Sequence, residues 1–576
     1  MLILKKALHY YHTLRYLKPI QIYGRIFSSL RRKIGLSKLP PVPQNLSPFL
    51  PRRTVFLFHE PWNNSESLQN NQFNFLNKSI DFGEKILWND QNVSLLWKFN
   101  LHYMNYLFLL SDKARKELVL NWIDNNPVSQ GTSWYPFVLS LRLINLCKIG
   151  FEDKSINESL YIQAAYLFRN TEYYHPANHY LENARALIFA GLYFGQLGES
   201  KNWFQKGLSI IKEQLPTQVL EDGGYFEKSM MYHAIILEGF LDLINILPES
   251  ESLRTQLIKS SEKMLKFLVA STHPDGNIAL FNDSTEEFAP PTEKIINYAA
   301  KLGLYPVTKS FQSTNFTRRG GQSINHSFNY SSIQSSNHSF FQSFPQTGFH
   351  IYKDEQIYLI IDAGSIGPDN IPAHSHADIF SYELSLLNEK MIVDSGVYEY
   401  ETGEMRNYAR STKAHNTLTI DGKDQAEYWG SFRVARRYSP KNIICEENNN
   451  AIVISAEFDG YSKLIGNSLN HKRVFNIQKK NKIVEIIDTV SGKGNHLSES
   501  RIHLHPLCTV DIKTDLGNTV LIVKKDKIEM NILISASEYR IEEGWYCPQF
   551  GIKEKNKVIV IYGQSVPSSL VYSIHY

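Results

Sequence analysis

From about residue 70 to 305, apolar residues recur at three- and four-residue steps. "LHYMNYLFLL", "FVLSLRLINLCKIG", "NARALIFAGLYFGQLG", "MYHAIILEGFLDLINIL" and "LIKSSEKMLKFLVAS" each carry this period. Apolar faces at that spacing predict amphipathic helices, and short polar breaks between them predict an array of paired helices. No strict repeat accompanies it, so a solenoid of fixed period is not indicated. From about Gly348 the pattern shortens. "QIYLIIDAG", "KMIVDSGVYEY", "NTLTIDGKD", "AIVISAEFDG", "KIVEIIDTVSG", "TVLIVKKD", "MNILISA" and "KVIVIYG" are β-branched and separated by turn residues. They predict an antiparallel sandwich. Between them, Ser313 to Phe344 is rich in Ser, Asn, Gln and Phe and reads as a linker or irregular segment. The expected division is 1–312 helical, 313–345 linker and 346–576 sandwich, with a site between the two halves. At the start of the chain, Leu4, Ala7, Tyr11 and Leu14 share a helical face, which predicts an amphipathic helix docked on its own domain, with a membrane-surface role as the alternative.

Composition narrows the class. The chain has 576 residues, 43% hydrophobic and 20% charged, a globular balance with room for two or three domains. A net charge of +4 argues against wholesale nucleic-acid binding. Local basic patches are expected around Arg433, Arg436 and Arg437, and around His471, Lys472 and Arg473, either as solvated strand faces or as holds for an acidic ligand. Four cysteines without a CxxC pair indicate neither a thiolate zinc site nor an oxidising compartment. No run of about 18 to 20 apolar residues predicts a membrane span. The first residues do not read as a secretory signal, because Lys5 and Lys6 interrupt them. A cytoplasmic or envelope-associated location is the corresponding expectation.

Four stretches concentrate chemistry. "HPANHYLENARALIFAG" brings His175, Asn178, His179 and Asn183 to the start of an apolar helix, where a polar loop with a helix cap is the plain reading. "DGGYFEKSMMYHAIILEGF" follows a glycine turn with Glu227, Tyr232 and His233. "IPAHSHADIFSYEL" places His374, His376 and Asp378 at alternate positions, on one face if a strand has begun there. "RNYARSTKAHNTLTIDGKDQAEYWGSFR" supplies Arg406, Arg410, His415 and Asn416, and Asp394 precedes it in "IVDSGVY". His376, Asp394 and His415 form an N,O,N donor set of a kind that zinc accepts.

These stretches, in this order and with this helical-then-β split, resemble the heparinase II/III family of polysaccharide lyases. The resemblance spans roughly residues 95 to 440 and includes "SWYPFVLSLRLIN" near Trp134. It implies an α+β multidomain protein, an incomplete (α/α) toroid followed by a C-terminal antiparallel β-sandwich. It implies Asn178 as the group that neutralises a substrate carboxylate, Tyr232 as the proton carrier and His374 as the catalytic histidine. His179, Glu227 and Arg410 are expected to bind substrate. His376, Asp394 and His415 match the zinc ligands of those relatives that carry the metal, here expected in a structural role with no organic cofactor.

The implied reaction is β-elimination from a uronic acid in an acidic polysaccharide, in bacterial surface-polysaccharide metabolism. Removing the C5 proton builds enolate charge on the neighbouring carboxylate, and a donor aimed there stabilises the transition state more than the ground state. Tyr232 could serve as base, as acid or as both. As base it needs its ordinary pKa of about 10 lowered by neighbours, with His374 and Arg410 the expected ones, and His374 could instead take the C5 proton itself. Uronate C5 epimerisation shares the proton abstraction and is the second reading. A non-catalytic polysaccharide-binding or assembly protein is the third. Heparan-like, alginate-like and capsular polymers are all open as ligands, and no oligomeric state is implied.

Overall fold

The computed structural model describes residues 2–34, 39–46, 48–196, 198–305, 339–515, 518–535 and 537–576. The boundary expected at Ser313 lies outside them. The helical region runs through Leu95–Tyr103, Asp112–Asn125, Pro136–Ile149, Lys154–Arg169, Asn178–Tyr193, Glu199–Gln218, Met230–Ile246, Ser252–Ala270 and Thr292–Lys301. The periodic segments therefore fold as their spacing predicts, with one exception. "LHYMNYLFLL" is not a single helix. It breaks at Met104, whose φ is +61°, and resumes as a 3-10 turn over Asn105–Leu109. The break lets Leu101, Met104, Tyr106 and Leu107 all bury. A short hairpin, Gln72–Phe75 with Lys78–Asp81, inserts Phe73 and Phe75 into the same core. No periodic signal marked it.

The β region contains antiparallel sheets. Five strands pair in chain order: Phe340–Phe344, Phe349–Lys353, Ile357–Asp362, Tyr382–Leu386 and Glu389–Ile392. The first of them lies in the stretch expected to be linker. Its residues "FFQSF" gain regular structure only by pairing with Phe349–Lys353. An eight-stranded sheet is built from 441–491, 509–535 and 568–575, and a four-stranded sheet from 418–420, 498–503 and 538–563.

The five-stranded sheet is the layer that both halves share. Strand Ile357–Asp362 is buried throughout. Successive side chains of a strand point to opposite faces. Tyr358 and Ile360 accordingly join the helical core, while Ile357, Leu359 and Ile361 join the core between the sheets. A continuous apolar run is what a strand covered on both faces requires.

The same alternation removes one expected basic patch. His471 and Arg473 are buried and engage Asp488 at 2.7 and 2.6 Å, and only Lys472 faces out. In the other, Arg436 pairs with Glu427 at 2.7 Å and Arg437 is buried. Arg433 alone is exposed, and it covers the Trp429 ring.

Candidate active site

The site begins at a helix cap. Ser229 precedes Met230–Ile246, and its hydroxyl accepts the Tyr232 amide at 3.2 Å. This is the usual reach of an N-cap serine to the third helical residue, and it fixes where Tyr232 starts. The same hydroxyl donates to the Asp283 carbonyl at 2.7 Å, and the Ser284 hydroxyl accepts the Met230 amide at 3.1 Å. The loop at 283–284 is thereby tied to the helix that carries the tyrosine.

Asp283 organises the centre. One carboxylate oxygen accepts from His374 Nδ1 at 2.9 Å and the other from His376 Nε2 at 2.8 Å. Arg406 donates to both oxygens, to Oδ2 at 2.8 Å. Burial opposes the charge of Asp283, but Arg406 and the two histidine bonds outweigh it and hold the carboxyl well below the carboxylate range. Nδ1 of His374 faces a carboxylate, so in the neutral ring the proton sits on that nitrogen and Nε2 is the acceptor. The rings of His374 and Tyr232 lie 3.9 Å apart between centroids. Phe432 meets the histidine edge-on, and the Tyr400 hydroxyl lies 3.4 Å from that of Tyr232.

His374 and His376 do not share a strand face, contrary to the expectation from their spacing. Residues 371–381 form no strand, and pairing starts only at Tyr382. The two histidines converge because both bind Asp283. Asp378 does not join them and accepts the Asn282 amide instead, at 3.1 Å.

The expectation for Tyr232 also changes. Burial pushes its pKa up, well above the ordinary value; the Tyr400 hydroxyl and Arg406 lower it only in part. Arg406, not Arg410, is the cation beside it. Arg410 is buried and holds the carbonyls of Ser375 and Ser431 at 3.2 and 2.9 Å while covering the Tyr428 ring. It shapes the loops around the histidine, and its Nη2 has no hydrogen-bond partner among the described residues.

Across the cleft, Asn178 opens the helix Asn178–Tyr193. Its Oδ1 accepts the His179 amide at 2.9 Å, and its amide NH2 donates to no described residue. His179 stacks on Phe137 at 4.2 Å and pairs with Glu172 at 3.3 Å. Burial disfavours its charge, but Glu172 outweighs burial and raises its pKa. Glu227 lies between the two groups and feels both His374 and His179. It is 2% exposed, and burial raises its pKa. Neither of its oxygens accepts a well-formed hydrogen bond, because the neighbouring Tyr225 hydroxyl is engaged by Gln218 at 3.1 Å. Beyond Tyr103, which senses Tyr232, a cavity of about 160 Å³ continues along the helices. Trp62, Phe108, Asn145, Lys148 and Arg185 are among its walls.

Behind His376 lies a second group. His415 Nδ1 is 2.7 Å from Asp394 Oδ2, and the rings of His376 and His415 are 5.3 Å apart. All three residues are fully buried. Burial pushes His376 down to about 3, so it is neutral, and its Nδ1 has no partner. Burial raises the pKa of Asp362, Asp378 and Asp394, and the charge of Asp394 raises the first two further. Two imidazoles, a carboxylate and surplus buried acid fit a divalent cation by donor type. Among the described residues no group of three His, Cys, Asp or Glu is arranged to hold an ion as it stands. The direct Asp394–His415 bond would have to give way to one.

This arrangement sits in a chain whose two halves match family models in sequence. The description "Heparinase II/III N-terminus" matches residues 65–312, and "Heparinase II/III-like, C-terminal" matches residues 339–572. The chain belongs to the heparinase II/III family. A heparin-sulfate lyase of Pedobacter heparinus is 26% identical over 276 residues, covering 46% of this chain and 39% of that protein. One from Bacteroides thetaiotaomicron is 23% identical over 401 residues, covering 63% of this chain and 53% of the relative. The matches thus span about half or less of the curated relatives' length. A crystal structure of heparinase III superposes with a TM-score of 0.66 at 18% identity, covering 85% of this chain and 79% of that one. The heparan sulfate lyase HepC of Pedobacter heparinus gives 0.58 at 19% identity, over 96% and 88%. The fold of this family member is therefore that of the heparinase III structures, helical region first and antiparallel sheets after.

Sequence reasoning missed three members of the site. Asp283 stands in "FNDSTEEF", which looks like an ordinary polar turn. Tyr400 and Arg406 lie inside the quoted motifs but carried no expected role. Their contacts span 91 to 168 residues of chain, and no local pattern encodes those.

Proposed function

We propose that this chain is a polysaccharide lyase that cleaves a uronic-acid-containing, glycosaminoglycan-like polymer by β-elimination, in bacterial surface-polysaccharide metabolism. The observation that carries the reading is the Asp283–His374–Tyr232 arrangement, in which an acceptor nitrogen and a protonated hydroxyl stand side by side. His374 Nε2, with the opposite nitrogen locked by Asp283, suits removal of the C5 proton. Tyr232, held protonated by burial, suits donation to the departing O4. Of the roles left open by the sequence, this reading takes His374 as the base and Tyr232 as the acid. The Asn178 amide is a donor for the substrate carboxylate, where enolate charge develops, and Glu227 lies beside it with its pKa raised by burial. The cavity beyond Tyr103, with its aromatic and amide walls, supports an adjoining sugar subsite. The named activity of the relatives, heparin-sulfate lyase, agrees with the substrate class. A screen of uronate polymers, read by the ultraviolet absorbance of an unsaturated uronate and by product mass, tests it. C5 exchange with solvent and no chain cleavage would point to the epimerase instead.

We also propose a structural zinc held by His376, Asp394 and His415. The unpartnered His376 Nδ1 and the surplus of buried acid support it. Bound there, the ion would supply charge neutralisation and anchor the loop that presents His374. Elemental analysis of unchelated protein is expected to find about one zinc per chain. His415→Ala should lose it and lower the melting temperature, and metal-free protein of full stability would refute the assignment.

A further inference from the structure

We propose that residues 2–34 form a docking surface for an anionic lipid bilayer, with the cleft mouth beside it. Two helices, Leu2–Leu14 and Pro19–Ile34, are seated on the protein by their polar and small positions. Gln21 is buried and donates to the Asn370 carbonyl at 3.0 Å. A Cβ on Gly24 would fall 2.8 Å from the Tyr173 ring, so that face lies flat on the body. Arg25 meets His175 at 3.2 Å. In the first helix, Thr13 and Tyr10 contact Trp429 at 3.0 and 4.9 Å.

The apolar positions of the second helix point the other way. Ile22, Tyr23, Ile26, Phe27 and Leu30 are 40 to 59% exposed. At about 100° per residue they fall within one arc roughly 140° wide. An apolar stripe turned outward on a soluble body marks an interaction surface. In the first helix, Tyr11 and Leu14 are exposed as well, at 63 and 46%. The helix expected to dock on its own helical domain instead rests on Trp429 and Val434 of the sheet half, and it leaves large apolar side chains uncovered.

Charge selects the occupant. Residues 2–34 contain eight Lys and Arg and no Asp or Glu, and the first acid in the chain is Glu60. The remaining residues are close to neutral, since the whole chain carries only +4. A basic helix with an outward apolar stripe is the pattern that lies in the headgroup region of anionic membranes. A protein partner of like apolar shape would not require such a one-sided charge. No helix among the described residues is long and apolar enough to cross a membrane, which leaves surface association as the mode.

Position gives the surface a consequence. The first helix rests on the hairpin Tyr428–Trp429 with Arg433–Val434, whose turn carries Phe432 against His374. The second rests on Tyr173–His175, next to His179. The helix pair thus joins both rims of the cleft. Docking would hold the site at the bilayer, where a polymer emerging from or anchored in the membrane is met.

The test is flotation of the full chain with vesicles of phosphatidylcholine alone or mixed equally with phosphatidylglycerol. Binding is expected to the mixed vesicles only and to weaken as salt is raised. The triple variant Ile22→Ser, Ile26→Ser, Phe27→Ser should bind about tenfold more weakly or worse, and Lys6→Glu with Lys18→Glu should also weaken it. These side chains are exposed, and an unchanged melting temperature will show that the variants fold. Failure of the native chain to float, or equal flotation of the serine variant, overturns the proposal. So does a lipid-free dimer that the serine variant converts to monomer, because the stripe would then face a second copy of the chain.

Discussion

Tyr232 shows how one residue's role is set by its neighbours. Its hydroxyl shares the cleft with the Tyr400 hydroxyl at 3.4 Å and its ring with His374 at 3.9 Å. The residue is well packed, so Tyr232→Phe removes the proposed proton carrier and leaves the ring contact intact. Turnover on the polymer identified by the screen should fall by about 10² to 10⁴. Apparent affinity should change far less. Turnover and binding measured side by side check this, and near-normal turnover would leave His374 to serve both proton steps. Asp283 makes the complementary point. It contacts two histidines and an arginine at once, so its carboxylate fixes the tautomer of His374 and neutralises Arg406 with the same two oxygens.

Two contacts decide how the elements meet. The glycine turn of "DGGYFEK" abuts the turn between the first two strands of the five-stranded sheet. Asp222 accepts from the Thr347 amide and hydroxyl, both at 2.7 Å. A Cβ on Gly224 would stand 2.0 Å from Thr347 Oγ1. Gly224→Ala should therefore destabilise the protein by roughly 1 to 3 kcal/mol through overpacking, read from denaturant midpoints. Within the eight-stranded sheet, Asp488 lies opposite Arg473 in the register of Asn470–Gln478 with Ile483–Ser491. Burial opposes its charge, yet Arg473 and His471 hold its pKa below the ordinary value. A depressed folded pKa means stability that is complete above the unfolded value, about 3.9, and lost as pH falls through it toward the folded one. His471 adds to the loss from higher pH, because burial lowers its pKa and the unfolded chain takes up the proton first. Unfolding free energy should decline as pH drops from about 6.5 to 3. Asp488→Ala strands a buried arginine and should cost about 3 to 5 kcal/mol at neutral pH. An acid-stability curve unchanged in that variant would contradict the assignment.

For the whole molecule, the shared sheet governs behaviour. Phe349, Ile351, Tyr358 and Ile360 belong to the helical core, while their strand neighbours belong to the sheet core. Asp283 on the helical side and His374 and Arg406 on the sheet side close the same interface with charge. A large apolar interface of this kind resists independent domain motion. Calorimetry should show both halves unfolding in one transition, and two transitions separated by more than about 10 °C would contradict it. Inactivation should coincide with that transition, since the site is built from both halves.

The sequence by itself determined the class of each half. Helical spacing placed Pro136–Ile149, Asn178–Tyr193, Met230–Ile246 and Ser252–Ala270, and β-branched runs placed the long strands from Ala451 to Gly563. Those signals are local: a buried face must repeat with the period of its own element. Ordered motifs also brought Asn178, Tyr232 and His374 into view as candidates for one site. Only the tertiary structure decided what those residues can do. Asp283, with no motif of its own, sets the histidine's tautomer. Burial, not a nearby cation, sets the tyrosine's protonation. Arg406 takes the place expected of Arg410, and Arg410 turns inward to hold loops. The outward stripe at Ile22–Leu30 was not among the faces read from the sequence, and spacing alone cannot say which face of a helix meets the body. Each of these depends on which distant segments come together, and on how much water they exclude when they do.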